Sequence, residues 1–338
     1  MPVWTRALRI LQSYGVDWAM AVLIALFANF FLDRFQNIPD FDLTDTTIQH
    51  SFVPKEVFPN STLAYILVFA YVLVVISNLV LSRNMWDLHH ALLGLTVAFA
   101  FMGTFVEVVR ITVGRPRPDF ISRCNPFANA TNQVHFGLAN LTVCQTAADD
   151  PLIKDGMRSF FSGHACLSAA GLGFLSLYWA GKLQLFNQKS YSSKAWLVFL
   201  PLLGSIYICI TRVTDHRHHP EDVILGFFLG VFTAYIFYRQ FFPSLEDLNS
   251  HLPHPPRFPS TTDRGSLRRW GPAALFPSAA DDDGPTPLLP MNRADNRRPP
   301  SSHASVEADL ASHGFTTTPF NAPDESATDY VGLPVKPT

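Results

Sequence analysis

Residues 63–81 read LAYILVFAYVLVVISNLVL, an apolar stretch without a single charged side chain. A helix needs about 20 predominantly apolar residues to cross a bilayer. Five further stretches approach that length, at 18–32, 91–109, 165–181, 195–210 and 223–238. Core helices of large soluble proteins are seldom apolar on every face, which disfavours a soluble alternative. The sequence therefore predicts an all-α protein, a six-transmembrane helical bundle.

The composition is typical of a membrane protein. The chain has 338 residues, of which 48% are hydrophobic and only 15% are charged, whereas soluble domains carry about 25% charged residues. The formal net charge is −2, and no block of Lys or Arg indicates binding to nucleic acid. After residue 242 the apolar pattern ends, and Pro, Ser, Thr, Asp and Arg become frequent. We therefore expect a membrane domain over residues 1–242 and a disordered, Pro-rich cytosolic tail over residues 243–338.

The loops between the apolar stretches predict the orientation. If the N-terminus is cytosolic, the loop between the fourth and fifth stretches is cytosolic too, and it carries three lysines and no carboxylate. The positive-inside rule favours this choice. Three N-x-S/T glycosylation sequons, at Asn60, Asn129 and Asn140, fall in the first and third loops, on the opposite side. We expect cytosolic termini and extracytoplasmic odd-numbered loops, in the vacuole, ER/Golgi or plasma membrane.

The four cysteines divide into two pairs by location. Cys124 and Cys144 share the third loop, whereas Cys166 and Cys209 lie within apolar stretches. A disulfide between the two loop cysteines is the natural pairing in an oxidising compartment. Two free thiols are the alternative, because connectivity cannot be deduced from sequence alone.

The first cluster of chemically active residues is RITVGRPRPDF at 110–120, directly after the third apolar stretch. It places Arg110 and Arg117 about two helical turns apart, so both guanidinium groups can point the same way. Two convergent arginines bind phosphate-like oxygens, although a basic collar for lipid headgroups in general has the same pattern. Pro116 and Pro118 are expected to stop the helix.

The second cluster, SFFSGHACLSAAG at 159–171, places Ser162, Gly163 and His164 immediately before an apolar helix. A Ser-Gly pair at a helix start presents backbone N–H groups and a hydroxyl to an anion. His164 can donate or accept a proton near neutral pH. An N-cap followed by an interfacial histidine is the alternative, purely structural explanation.

The third cluster, TRVTDHRHHPEDVILG at 211–226, stands at the start of the last apolar stretch. Asp222 lies four residues after His218, so on a shared helical turn its carboxylate can hold one imidazole nitrogen and leave the other free as a nucleophile. Arg212 supplies a third cation for the anion. One alternative is a zinc site formed by the H-x-H-H histidines, His216, His218 and His219, with Asp222, which the three nearby arginines disfavour. Another is a polar loop with incidental histidines.

Taken in order, the three clusters resemble the signature of the type 2 phosphatidic acid phosphatase superfamily, which includes lipid phosphate phosphatases, glucose-6-phosphatase and vanadium haloperoxidases. That signature is K-x6-R-P, then P-S-G-H, then S-R-x5-H-x3-D. This chain has R-x6-R-P at 110–118, F-S-G-H at 161–164 and T-R-x5-H-x3-D at 211–222. The departures are Arg110 for Lys, Phe161 for Pro and Thr211 for Ser. The string GRPRPDFISRC at 114–124 looks most like fungal diacylglycerol pyrophosphate and lipid phosphate phosphatases.

The resemblance implies an enzyme that acts on phosphatidate, lysophosphatidate or diacylglycerol pyrophosphate without a metal or another cofactor. It implies that His218, oriented by Asp222, forms a phosphohistidine, and that His164 protonates the leaving group. The phosphate-binding residues that it implies are Arg110, Arg117, Ser162, Gly163 and Arg212. Two alternatives keep the same fold: a membrane scaffold that has lost turnover, and a lipid phosphotransferase with an alcohol as acceptor. The oligomeric state is not predicted.

Overall fold

The computed structural model describes residues 3–31, 35–134, 137–187 and 191–257, and this part of the chain is helical. Its helices are α1 (Val3–Phe31), α2 (Asn60–Ser77), α3 (Met85–Val113), α4 (Phe120–Cys124), α5 (Pro151–Gly156), α6 (Gly163–Lys182), α7 (Ser192–Thr214) and α8 (Pro220–Phe241). A π-helical turn, Asn78–Ser82, extends α2, and two 3₁₀ turns, Thr46–Ile48 and Leu141–Val143, lie in the loops. The six predicted apolar stretches lie on α1, α2, α3, α6, α7 and α8.

Four helices of the described residues are long and apolar enough to cross a membrane: Asn60–Ser82, α3, α7 and α8. Their outward faces expose large apolar side chains, such as Phe69 on α2 and Phe232 on α8. Monomeric soluble proteins rarely expose apolar surface of that extent, so this chain is an integral membrane protein. The structure does not establish the predicted count of six spans, because α6 falls below the hydropathy of the other four and the apolar part of α1, Gln12–Ala28, is shorter.

The central helix of the bundle is α6, which packs against α2, α3, α7 and α8. Most of its residues are buried, and many of them are Gly, Ala or Ser. Small residues let helix backbones approach closely. At Gly230 of α8, a Cβ atom would lie only 2.4 Å from the carbonyl oxygen of Cys166 on α6. The lower hydropathy of α6 is therefore a consequence of its small side chains at the centre of the bundle.

At the end of α3, the structure differs from the sequence prediction. The helix stops at Gly114, which has a left-handed φ of 63° and lies two residues before the first proline. Arg117 therefore does not continue the helical face of Arg110, and the two-turn argument for their alignment is wrong. Instead, the chain turns back, and the Arg117 N–H donates to the Gly156 carbonyl on α5 at 2.8 Å.

Residues 35–59, 114–134 and 137–162, which lie outside the bundle, pack together as a cap over the ends of α3, α6 and α8. The apolar centre of the cap includes Phe41, Ile48, Phe120, Ile153 and Met157, which are all buried. A disulfide joins Cys124 to Cys144, the pairing predicted from their shared loop, and it closes the cap locally. The three sequence clusters meet beneath this cap.

At the opposite end of the bundle, the chain after α8 differs from the predicted disordered tail. Residues 243–257, here called the C-terminal strap, lie against the helix ends. Trp86 Nε1 donates to the His254 carbonyl at 3.1 Å, Lys182 Nζ donates to the His251 carbonyl, and Arg257 pairs with Asp17 at 2.7 Å. The strap therefore packs on the domain predicted to end at residue 242. Composition alone does not reveal these contacts. Residues 258–338, the rest of the predicted tail, lie outside the described residues.

Truncation can separate the strap from the rest of the predicted tail. We expect a chain that ends after residue 257 to keep the thermal midpoint of the full-length protein in detergent. A chain that ends after residue 242 should unfold at a temperature several degrees lower, because it loses hydrogen bonds to α3 and α6 together with the ion pair to α1, each worth on the order of 1 kcal/mol. Equal midpoints for the two truncated chains would show that the strap adds nothing to stability.

Candidate active site

A cavity of about 480 Å³ lies where the three sequence clusters meet under the cap. One end is polar and the other is apolar, with Ala25 of α1, Leu63 and Leu67 of α2 and Leu167 of α6 in the apolar wall. Six of the eight predicted catalytic and phosphate-binding residues line the polar end: Arg110, Arg117, Gly163, His164, Arg212 and His218. Such a shape can receive a charged headgroup at one end and hydrocarbon at the other.

The start of α6 brings the second cluster to the cavity. Ser162 is the N-cap, and its hydroxyl accepts from the Ala165 N–H at 3.4 Å. This hydroxyl is buried behind the cavity and does not line it. Gly163 lies next to Arg110: a Cβ atom at Gly163 would be 3.4 Å from Arg110 Nη1, an ordinary contact distance. His164 follows in the first turn, and its buried Nε2 has no protein partner.

The ring of His218 is fixed by a backbone carbonyl. Its Nδ1 lies 2.6 Å from the Ser159 oxygen. A carbonyl can only accept, so Nδ1 carries the proton and the Nε2 lone pair is left free. Burial, together with the positive charges of Arg117 and Arg110, lowers the pKa of His218 well below its ordinary value. The ring is therefore neutral at physiological pH, the form that a nucleophile requires.

Asp222 does not contact His218 directly, so the predicted pairing is wrong. Helix α8 begins only at Pro220, which leaves His218 outside the helix and removes the four-residue geometry. The Asp222 carboxylate accepts from the Ser159 hydroxyl and from Arg115 Nη1. It also forms a capping box with His219. Because Ser159 binds Asp222 through its hydroxyl and His218 through its carbonyl, Asp222 reaches the ring through Ser159.

Each of the three predicted phosphate-binding arginines is paired with a carboxylate. Arg110 Nη1 donates to Glu107 at 2.9 Å, both Nη atoms of Arg117 donate to Asp155 at 2.8 Å, and Arg212 Nη1 donates to Glu56 at 2.8 Å. These carboxylates also line the cavity. Sequence reasoning missed all three. Glu107 could have been found, because it lies three residues before Arg110 on one helix, but Glu56 and Asp155 come from distant loops.

The four side chains of the zinc alternative do not converge, although His219 Nδ1 lies 3.3 Å from Asp222 Oδ2. His216 stacks on His50, with ring centroids 4.5 Å apart. His218 binds Ser159, and Asp222 binds Ser159 and Arg115. In the described ranges, no group of three or more His, Cys, Asp or Glu residues is arranged to hold a metal ion.

The predicted glycosylation sites differ in their surroundings. Asn60, the first residue of α2, lines the cavity. Asn129 is exposed on the cap. Asn140 is half-buried, and its side-chain oxygen accepts from the Thr142 N–H at 3.1 Å. A glycan on Asn60 would stand at the cavity, so Asn129 is the best placed acceptor of the three.

The sequence of the chain matches one family of proteins. Residues 91–246 match the PAP2 superfamily, and this range contains all three clusters and the six predicted residues that line the polar end of the cavity. The chain belongs to this superfamily, as the clusters predict.

Several relatives extend the similarity beyond the matched domain. Probable diacylglycerol pyrophosphate phosphatase 1 of Schizosaccharomyces pombe is 37% identical over 235 residues, which cover 69% of this chain and 83% of the relative. Lipid phosphate phosphatase 2 of Arabidopsis thaliana is 37% identical over 71% of each chain. Diacylglycerol pyrophosphate phosphatase 1 of Saccharomyces cerevisiae is 34% identical over 61% of this chain and 72% of its own. No solved structure matches the chain.

The path from Asp222 through Ser159 to His218 predicts a ranking of variants. His218→Ala should abolish phosphate release, because it removes the imidazole that is predicted to be the nucleophile. Asp222→Asn should lower kcat by about 10- to 100-fold, since the ring is still held by the Ser159 carbonyl. Ser159→Ala should cost less than Asp222→Asn: both keep that carbonyl, but Ser159→Ala removes one hydroxyl hydrogen bond, whereas Asp222→Asn removes the negative charge that faces Arg115. Initial rates of phosphate release from purified variants would test the order, and normal turnover in His218→Ala would contradict it.

Proposed function

We propose that this protein is an integral membrane phosphatase that hydrolyses lipid phosphates such as phosphatidate, lysophosphatidate or diacylglycerol pyrophosphate. The observation that carries the proposal is the cavity itself, in which a neutral histidine with a free Nε2 and three arginines share a polar end that adjoins an apolar wall. Two of the named relatives above are lipid phosphate or diacylglycerol pyrophosphate phosphatases, and a third is a probable one.

In the first step, the Nε2 lone pair of His218 attacks phosphorus. A P–N bond forms as the P–O bond to the lipid breaks, and the departing oxygen takes a proton from His164. Arg110, Arg117 and Arg212 hold the non-bridging oxygens and stabilise the charge that builds up on them in the transition state. The products of this step are the dephosphorylated lipid and a phosphohistidine.

In the second step, a water molecule takes the place that the lipid leaves. His164, now without its proton, accepts one from the water as the water oxygen bonds to phosphorus and the P–N bond breaks. The bonding pair returns to Nε2 of His218, and inorganic phosphate is released. Both histidines thereby regain their starting protonation states, so the cycle can repeat.

The apolar wall favours a lipid over a soluble phosphate ester. Ala25, Leu63 and Leu167 come from three different helices, and they extend the cavity from the arginines towards the middle of the bundle. A headgroup bound at the arginines would keep its adjoining hydrocarbon in an apolar environment. We place the site on the extracytoplasmic face and the termini in the cytosol, with six spans, on the strength of the sequons and of the loop charges.

Phosphate release from a panel of lipid phosphates in detergent is the direct test. Release from phosphatidate, lysophosphatidate or diacylglycerol pyrophosphate, but not from glucose 6-phosphate, supports the proposal. No release by folded protein from any lipid would favour the scaffold. Transfer of phosphate to an added alcohol in preference to water would favour the phosphotransferase.

Activity should be independent of divalent metal ions. Arginine side chains supply the positive charge that Mg²⁺ or Zn²⁺ supplies in other phosphatases. We therefore expect unchanged initial rates in excess EDTA and after dialysis against a zinc chelator. If activity is lost on chelation and recovers when zinc is added, the alternative of a zinc site that includes His216, His218 and Asp222 would be favoured.

Arg110, one of the three positions where this chain departs from the family signature, is expected to tolerate the family residue. Arg110→Lys keeps a cation beside Gly163 and should retain substantial activity. Arg110→Ala removes a charge-assisted contact to the transition state and should lower kcat about 100-fold. Parallel rate measurements on the two variants test this difference. Equal rates in both variants and the parent would mean that Arg110 contacts lipid headgroups in general and does not act on the reacting phosphate.

A further inference from the structure

We infer that Asp155 is a positioning residue for Arg117, a role that rests on the proposed function. Asp155 lies on the short helix α5 in the cap, 38 residues after Arg117. Arg117 Nη1 donates to one of its carboxylate oxygens and Nη2 to the other, both at 2.8 Å. This bidentate pair fixes the plane of the guanidinium as well as its position.

The pairing with Asp155 leaves one edge of the Arg117 guanidinium without a hydrogen-bond partner. A guanidinium carries five N–H donors, and an end-on carboxylate uses one from each Nη. Three N–H groups remain, and two of them, the Nε–H and the second N–H of Nη2, lie side by side on the adjacent edge. Arg117 Nε is buried without a protein partner. Arg117 therefore keeps two unpaired donors on that edge while Asp155 holds its terminal nitrogens.

Arg212, which also lines the cavity, is held in a similar way. Its Nη1 donates to Glu56 at 2.8 Å and its Nη2 to Asp215 at 2.9 Å. Its Nε is also buried without a protein partner, and so is that of Arg217, whose Nη2 lies 3.1 Å from Glu56. Three arginines of the cavity are thus held by their terminal nitrogens and have an unpaired Nε.

Asp155 is itself held by a buried residue. Arg123 Nη1 donates to its Oδ2 at 2.8 Å. The other edge of Arg123 is bidentate to Asp119, at 2.9 and 3.0 Å, and the side chains of this pair are fully buried. The disulfide begins at Cys124, the next residue. The Asp155 carboxylate is therefore held by the buried Arg123–Asp119 pair of the cap, and it in turn holds Arg117.

The charge of Asp155 persists at the pH of catalysis. Burial alone would raise its pKa, but the Arg117 and Arg123 guanidiniums outweigh burial and the pKa is lowered. Asp155→Asn should therefore remove a full negative charge. A more positive cavity attracts an anionic substrate at least as well, so KM should not rise. The rate should fall, because Arg117 no longer meets the transition state at a fixed angle.

A double-mutant cycle with Arg117→Lys tests the inference. We expect Asp155→Asn to lower kcat about tenfold in the parent, with KM unchanged or lower, and to lower it less than about twofold in Arg117→Lys, because Asp155 acts through the guanidinium. Asp149→Asn, an exposed change of the same chemistry just before α5, is the matched control and should leave both constants unchanged. Folded yield and thermal midpoint are measured for every variant.

Orthovanadate binding by calorimetry provides a readout that does not need turnover. As an analogue of the transition state, it should bind about tenfold more weakly to Asp155→Asn than to the parent, and equally to Arg117→Lys with or without Asp155→Asn. If the parent binds vanadate with this coupling but hydrolyses no lipid phosphate, the proposed function fails and the positioning role stands.

Three results would overturn the inference. The first is an equal effect of Asp155→Asn in both backgrounds, which would mark a structural role. The second is tighter vanadate binding and a higher kcat/KM in Asp155→Asn, which would mean that the carboxylate competes with phosphate for Arg117. The third is that Asp155→Asn lowers activity only in proportion to its lower yield of folded protein, while the specific activity of the folded fraction is unchanged.

Discussion

A buried guanidinium needs a negative charge close by, and the polar end of the cavity holds several. The side chains of Arg117 and Arg212 are 7% and 1% exposed. Removing an ion from water costs several kcal/mol unless a partner compensates it. The bundle helices supply one such partner, Glu107, but the others come from outside them. The cap that carries Glu56 and Asp155 is therefore part of the active site, since without it the arginines could not stay buried in the absence of substrate.

The helices and the main reactive groups could be predicted from the sequence, because both are local patterns. Apolar stretches mark the membrane helices, and three short motifs mark His164, His218 and the arginines. The predictions that failed assumed that a helix continues through a motif. Gly114 ends α3 before Arg117, and Pro220 starts α8 after His218.

Other features depend on contacts between distant parts of the chain, which no local pattern encodes. Ser159 lies 63 residues before Asp222, yet its hydroxyl binds that carboxylate. Glu56 lies 156 residues before Arg212. The strap was missed for a related reason: its Pro-rich composition predicts disorder, but Trp86 and Lys182 bind its backbone carbonyls, and carbonyls are the same in every sequence.

The charges around the cavity suit the ion that it is proposed to bind. Five arginines line it, Arg110, Arg117, Arg158, Arg212 and Arg217, together with three carboxylates, Glu56, Glu107 and Asp155. Leaving the two histidines aside, these side chains carry two net positive charges. A phosphate monoester carries about −1.5 to −2 at pH 7, so it balances most of that charge. Five uncompensated arginines would bind inorganic phosphate, the product, far more tightly and would slow its release. The carboxylates therefore serve turnover in two ways: they hold the guanidiniums at fixed angles, and they keep the net charge low enough for the product to leave.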